Sequence, residues 1–115
     1  MVYKLNIENV TNKNTNYRKV LHTTKETQLV IMSVSDEIHK EKHPHTTQFI
    51  RVESGQGFAI VNNKRFKLSD GDAIIIPHNT WHYIKNTGKQ PLKLYTLYSP
   101  PEHKDGLVQK HNPDL

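Results

Sequence analysis

An all-β barrel or sandwich is the fold class this sequence predicts. Two observations carry the prediction: a series of short apolar runs, each four to eight residues long, and turn-forming residues between consecutive runs. Residues 27–34, TQLVIMSV, are rich in β-branched and apolar side chains and read as a strand buried on both faces. Residues 48–52 make the next strand. Residues 58–61 and 64–68 flank Asn62-Asn63, a two-residue connection that tolerates positive φ, which predicts a tight hairpin. Ser69-Asp70-Gly71 turns the chain again. Residues 73–76 are a short strand stopped by Pro77, residues 81–85 follow the His78-Asn79-Thr80 turn, and residues 92–98 follow the loop at 86–91. A brief helix is expected near residues 16–21 and an irregular tail from residue 100. There is no internal repeat and no low-complexity segment.

At 115 residues, with no Pro, Gly or Ser-rich linker, the chain reads as one domain. Residues 1–26 are expected to pack a strand and short helix on the barrel, residues 27–98 to form the barrel, and residues 99–115 to form the tail. A chain of this size buries enough apolar surface to fold unaided, so a bound metal would be functional rather than structural. Cysteine is absent, which excludes disulfides, thiolate metal ligands and a cysteine nucleophile. The start, MVYKLNIENV, carries no charged n-region with an apolar core, and the longest apolar runs are too short for a membrane span. A cytoplasmic protein is expected. The formal charge of +5 comes from scattered lysines and arginines without a basic block, which argues against nucleic acid as a partner.

The eight histidines are more informative than the lysines. Glu41 and His43 stand two apart, so in an extended segment they point to one face, which His45 shares. Gln48 follows across a bulge expected at Thr46-Thr47 and opens a strand whose inward set is Gln48, Ile50 and Val52. His82 opens another strand with Ile84 on its side. Two imidazoles, a carboxylate and an amide carbonyl converging inside a β-barrel make a mixed N/O site suited to one divalent ion: Mn, Fe, Co, Ni or Zn. His39, His78 and His103 read as surface or turn residues, and Gly55, Gly57 and Gly71 as turn glycines.

These residues resemble the cupin family, whose second motif is a glycine, five residues, Pro-x-Gly, two residues, His, three residues, Asn. Gly71, Pro77, Asn79, His82 and Asn86 match that spacing, with Asn79 in the glycine position. The first motif matches as Glu41-x-His43, four residues, Gln48, six residues, Gly55, with Glu41 in place of the first histidine and Gln48 in place of the glutamate. An alternative register uses His43, His45 and Gln48, and leaves only two residues before the glutamine. The first register is preferred because its spacing is the better match, and His45 then becomes a pocket residue. The segments NTNYRKVL, TQFIRVESGQG and LKLYTLYSPPEHKDG are similar to small stand-alone cupins labelled mannose-6-phosphate-isomerase-like. The resemblance implies a double-stranded β-helix, or jelly roll, holding a metal on Glu41, His43, Gln48 and His82. It also implies a homodimer. Gln for Glu occurs in the pectin-degradation cupins acting on unsaturated uronates, which have histidine where this chain has Glu41.

The expected function is metal-assisted isomerisation or tautomerisation of a sugar or sugar-acid derivative, with His45 or an unligated Glu41 as the base. Two alternatives stand beside it: an Fe(II) dioxygenase, and a carbohydrate-binding module without turnover. An anionic metabolite fits the positive surface charge.

Overall fold

Turn chemistry sets where the chain reverses. A computed structural model describes residues 1–114. It contains one helix, α1 (Ile7–Lys13), and ten strands: β1 (Arg18–Thr23), β2 (Gln28–Val34), β3 (Glu37–Glu41), β4 (Thr47–Ser54), β5 (Gln56–Val61), β6 (Lys64–Ser69), β7 (Ala73–Ile76), β8 (His82–Asn86), β9 (Leu92–Ser99) and β10 (Val108–Gln109). Asn62 and Asn63 take φ of 51° and 67°, the conformation a two-residue hairpin between β5 and β6 demands. Asn79 stands at φ 59°, so it fills the turn position that glycine would otherwise hold. Gly57 lies in a strand rather than a turn. A Cβ there would stand 2.3 Å from the Lys85 carbonyl oxygen, so its smallness serves the close approach of β5 to β8.

Two antiparallel sheets face each other, one of six strands in the order β10-β1-β2-β9-β4-β7 and one of four in the order β3-β8-β5-β6. The all-β jelly-roll expectation is met. Registers align the inward residues of β2, β9 and β4 in layers: Met32 with Leu94 and Val52, then Val30 with Thr96 and Ile50, then Gln28 with Tyr98 and Gln48. The apolar layers are buried with Val34, Ile84 and Leu92 into one core. The last layer carries polar atoms, so one end of the barrel is oil and the other is chemistry. Asn86, a residue of the second motif, has a structural task at the opposite end from that layer: its Nδ2 donates to Val34 O at 2.9 Å and Gln90 O at 2.9 Å, tying three segments together.

The helix expected at residues 16–21 is instead strand β1, and the helix lies earlier. Asn6 caps it by accepting a hydrogen bond from Asn9 N at 2.9 Å. Residues 18–20 alternate buried, exposed, buried, which is the period of a strand on a sheet face. The bulge expected at Thr46-Thr47 is absent. The chain instead leaves β3 through a turn at Pro44-His45 as it passes from one sheet to the other, and the irregularity lies within β3, between Ile38 and Glu41. The tail is not wholly irregular either, since β10 pairs with β1 through Arg18 and Gln109.

Candidate metal centre

Each candidate side chain is set by a different part of the frame. Glu41 ends β3 and lies opposite His82, the first residue of β8, in the four-stranded sheet. His43 follows in the link between sheets, where its carbonyl accepts a hydrogen bond from Asn79 N at 2.7 Å. Gln48 projects from β4 of the other sheet. One ligand atom each from Glu41, His43 and His82 lies within 4.8 Å of the others. His43 Nε2 is 3.1 Å and His82 Nε2 3.4 Å from Glu41 Oε2, and both histidines are buried.

The hydrogen bonds on the far side of each group decide what faces the middle. His82 Nδ1 is 3.0 Å from Thr80 O, a pure acceptor, so that nitrogen carries the proton and Nε2 presents a lone pair. His43 Nδ1 stands 3.4 Å from Glu102 Oε2, which favours the same tautomer. Gln48 spends its amide nitrogen on Thr96 Oγ1 at 3.0 Å and Tyr98 OH at 3.2 Å, which leaves Oε1 free. Gln48 Oε1, His43 Nε2 and His82 Nε2 are all buried without a hydrogen-bond partner. Around Glu41 Oε2 the two imidazole nitrogens stand out of bulk water, and either a proton or a cation held between them and the carboxylate relieves the repulsion of their lone pairs. Without metal, a proton does so in part. Burial alone would raise the Glu41 carboxyl, but hydrogen bonds from His43 and His82 outweigh it and hold it well below the usual carboxylate range. Burial alone would lower His43, but Glu41 and then Glu102 raise it. The donor set of two imidazoles, a carboxylate and an amide oxygen suits a divalent first-row metal.

His45 is exposed in the turn and makes no side-chain hydrogen bond or ion pair among the described residues. His39, expected on the surface alone, has Nδ1 2.9 Å from Asp114 Oδ2 and Nε2 3.8 Å from Glu41 Oε1. His103, also expected on the surface, is half-buried. Its ring packs edge-on against Tyr98 with centroids 5.0 Å apart, and its Nε2 is buried without a partner. Burial, then the Arg18 guanidinium, pull its imidazole down to about 4. Glu102 and His103 are residues the sequence reading missed. They sit on a strap held by Gln28, whose Oε1 accepts from Glu102 N at 3.2 Å and His103 N at 2.9 Å, and whose Nε2 donates to His103 O at 2.8 Å. Only the tail's placement reveals them; no spacing in the sequence does.

Residues 28–98 match the family described as Cupin domain. The chain belongs to the cupins. This cupin is 42% identical to protein L612 of Acanthamoeba polyphaga mimivirus, over 97% of this chain and 74% of that protein. It is 37% identical to YrkC of Bacillus subtilis over 97% of its length, spanning only 64% of that relative. A crystal structure of BH2720 from Bacillus halodurans superposes with a TM-score of 0.93 at 38% identity, covering 96% of this chain and 89% of that one. The KdgF structure from Halomonas sp. shares the fold with this cupin, at a TM-score of 0.68 and 24% identity over 74% and 78% of the two chains. Among the described residues of the cupin, no helix is long and apolar enough to cross a membrane.

Proposed function

We propose that this cupin holds one divalent metal on Glu41, His43, Gln48 and His82 and acts on a small sugar or sugar-acid derivative, catalysing isomerisation or tautomerisation. The observation that carries the proposal is the convergence of Glu41, His43 and His82, one ligand atom of each within 4.8 Å of the others. When bound, a metal of this class supplies Lewis-acid polarisation of a substrate oxygen, which acidifies the neighbouring C–H. The protein's own residues do the rest. Thr80 O and Glu102 fix the imidazole tautomers, Thr96 and Tyr98 turn the Gln48 amide so that its oxygen is available, and the inter-sheet position keeps bulk water from the donors. Glu41 is engaged by both imidazoles, which leaves His45 as the candidate base.

Metal content by mass spectrometry on untagged protein tests the proposal. Stoichiometric metal in the wild type, lost in His82→Ala and Glu41→Ala but kept in His45→Ala, is the expected outcome, followed by turnover of a sugar phosphate or uronate that His45→Ala abolishes. Wild type without metal above background refutes it. The exposure of His45 favours a second reading, a carbohydrate-binding module without turnover, for which metal and ligand bind in His45→Ala as in wild type and no substrate is converted. In either reading a second copy pairing along edge strand β7 would cover Ile75, the most exposed large apolar residue outside the first two positions.

A further inference from the structure

The alternation that turns Glu41 and His82 inward turns their chain neighbours outward. Lys40 and Lys42 flank Glu41 in sequence and Trp81 precedes His82, so the pairing of Glu41 with His82 gathers all three side chains on the outer face of the four-stranded sheet. Trp81 is 47% exposed and is the only tryptophan of the chain. The Lys40 ammonium lies 5.4 Å and the Lys42 ammonium 4.9 Å from the centre of its ring. Each contact is favourable by itself, but two like charges on one ring repel. Among the described residues neither ammonium has a carboxylate partner, whereas Lys85 on the same face is paired with Asp36.

A cavity of about 340 Å³ opens beside this ring, lined by Lys40, Ile60, Asn63, Trp81, His82 and Tyr83. Its size is at the lower end for small-molecule sites, room for one ring system with a charged group. The lining divides by chemistry. Pairing of Ile60 with Tyr83 gives it an apolar floor, the hairpin that holds Asn63 at φ 67° adds a carboxamide residue, and no acidic residue lines it. His82 Nε2 faces Glu41 on the inner side, so the cavity and the metal centre lie on opposite faces of the sheet. A second copy of this chain would bring two more ammoniums to the same place, so charge disfavours a two-fold pairing here.

We propose that Trp81, Lys40 and Lys42 form a second ligand site, outside the barrel, for a small molecule whose flat aromatic ring carries a phosphate or a carboxylate. The ring lies against Trp81 and the apolar floor, the oxoanion takes the two ammoniums as point charges, and Asn63 offers an amide to polar atoms on the ring's edge. An anion there also relieves the repulsion between the two lysines. The site stands whether or not the barrel holds a metal.

Trp81 reports its own occupancy, because fluorescence excited beyond the tyrosine absorption comes from this residue alone. On chelator-treated protein at fixed ionic strength, AMP and sodium benzoate each carry both halves of the ligand, while adenosine and inorganic phosphate carry one half each. A saturable change with AMP, benzoate or both, about 10-fold tighter than with adenosine or phosphate, is expected, and whichever of the two binds names the anion. Replacing Lys40→Ala together with Lys42→Ala should weaken that binding about 10-fold. Both lysines are exposed, so their loss leaves the fold intact. Lys4→Ala with Lys25→Ala removes the same charge from exposed positions elsewhere and should change nothing. No saturable response to AMP or benzoate overturns the site. So does phosphate bound as tightly as either, an affinity unchanged without Lys40 and Lys42, or an equal loss in both double variants. A spectrum that ignores every probe but shifts with protein concentration gives the face to a second copy and overturns the site as well.

Discussion

Replacing Gln28 with methionine keeps the volume of the side chain and deletes its amide. Gln28 is fully buried and makes four hydrogen bonds, to Thr23 Oγ1, Glu102 N, His103 N and His103 O. At a net worth of about 1 kcal/mol each, their sum is about 4 kcal/mol. The strap can lift, however, and rewet three of the four partner groups, which caps the loss at the free energy of local opening. We expect Gln28→Met to destabilise the protein by about 2 to 3 kcal/mol. With a urea slope of about 1.5 kcal/mol/M that is a midpoint lowered by about 1 to 2 M. The opening is also local, so hydrogen exchange at the Glu102 and His103 amides should quicken more than exchange in β9. A midpoint shift below about 0.3 M, with those two amides as protected as in the wild type, would refute the clamp.

Three more expectations follow from the same geometry. Glu102→Gln removes the charge opposite His43 Nδ1 and should weaken metal affinity by about 10-fold in a chelator competition while leaving the melting temperature of metal-free protein nearly unchanged. Gly57→Ala drives a methyl into the Lys85 carbonyl and should cost about 2 to 3 kcal/mol by urea titration, since backbone rather than a flexible side chain must yield. His103, lowered to about 4 from 6.5, binds fewer protons folded than unfolded between those values. Its contribution is complete above pH 6.5 and drains away as the pH falls toward 4, so His103→Gln should flatten the acid side of the stability profile of metal-free protein by about 1 to 2 kcal/mol, after discounting for its partial exposure. His43, raised instead, acts with the opposite sign and loses its contribution as the pH climbs through its folded value.

The strands with alternating or wholly apolar patterns were legible because burial and register follow from period two. Gln48, Ile50 and Val52 share the interior for that reason, as do His82 and Ile84. Asn79 was legible because few residues tolerate its φ. Arg18 was misread within a presumed helix, since a charged residue in an N-terminal segment carries no signal of burial. His103 and Glu102 were hidden for a different reason. Their positions depend on Gln28, 75 and 74 residues away, and a clamp between a side-chain amide and remote backbone leaves no periodic trace. Gly57 passed as a turn glycine because sequence does not report how closely β5 approaches β8.

The arrangement of partners along the chain bears on how the barrel assembles. Arg18 meets Gln109 across 91 residues and Gln28 meets His103 across 75, so both polar side chains wait for remote segments. Non-local pairing of this kind makes for slow folding, because loop-closure entropy is lost before contacts compensate. A barrel that collapsed without residues 102–109 would bury an unpaired amide and a guanidinium without its amide acceptor, at a cost of several kcal/mol. The apolar layers alone would tolerate such an early closure. Gln28 and Arg18 do not, and in that sense they proofread the assembly, admitting the collapsed barrel only when the strap that orients His43 is in place.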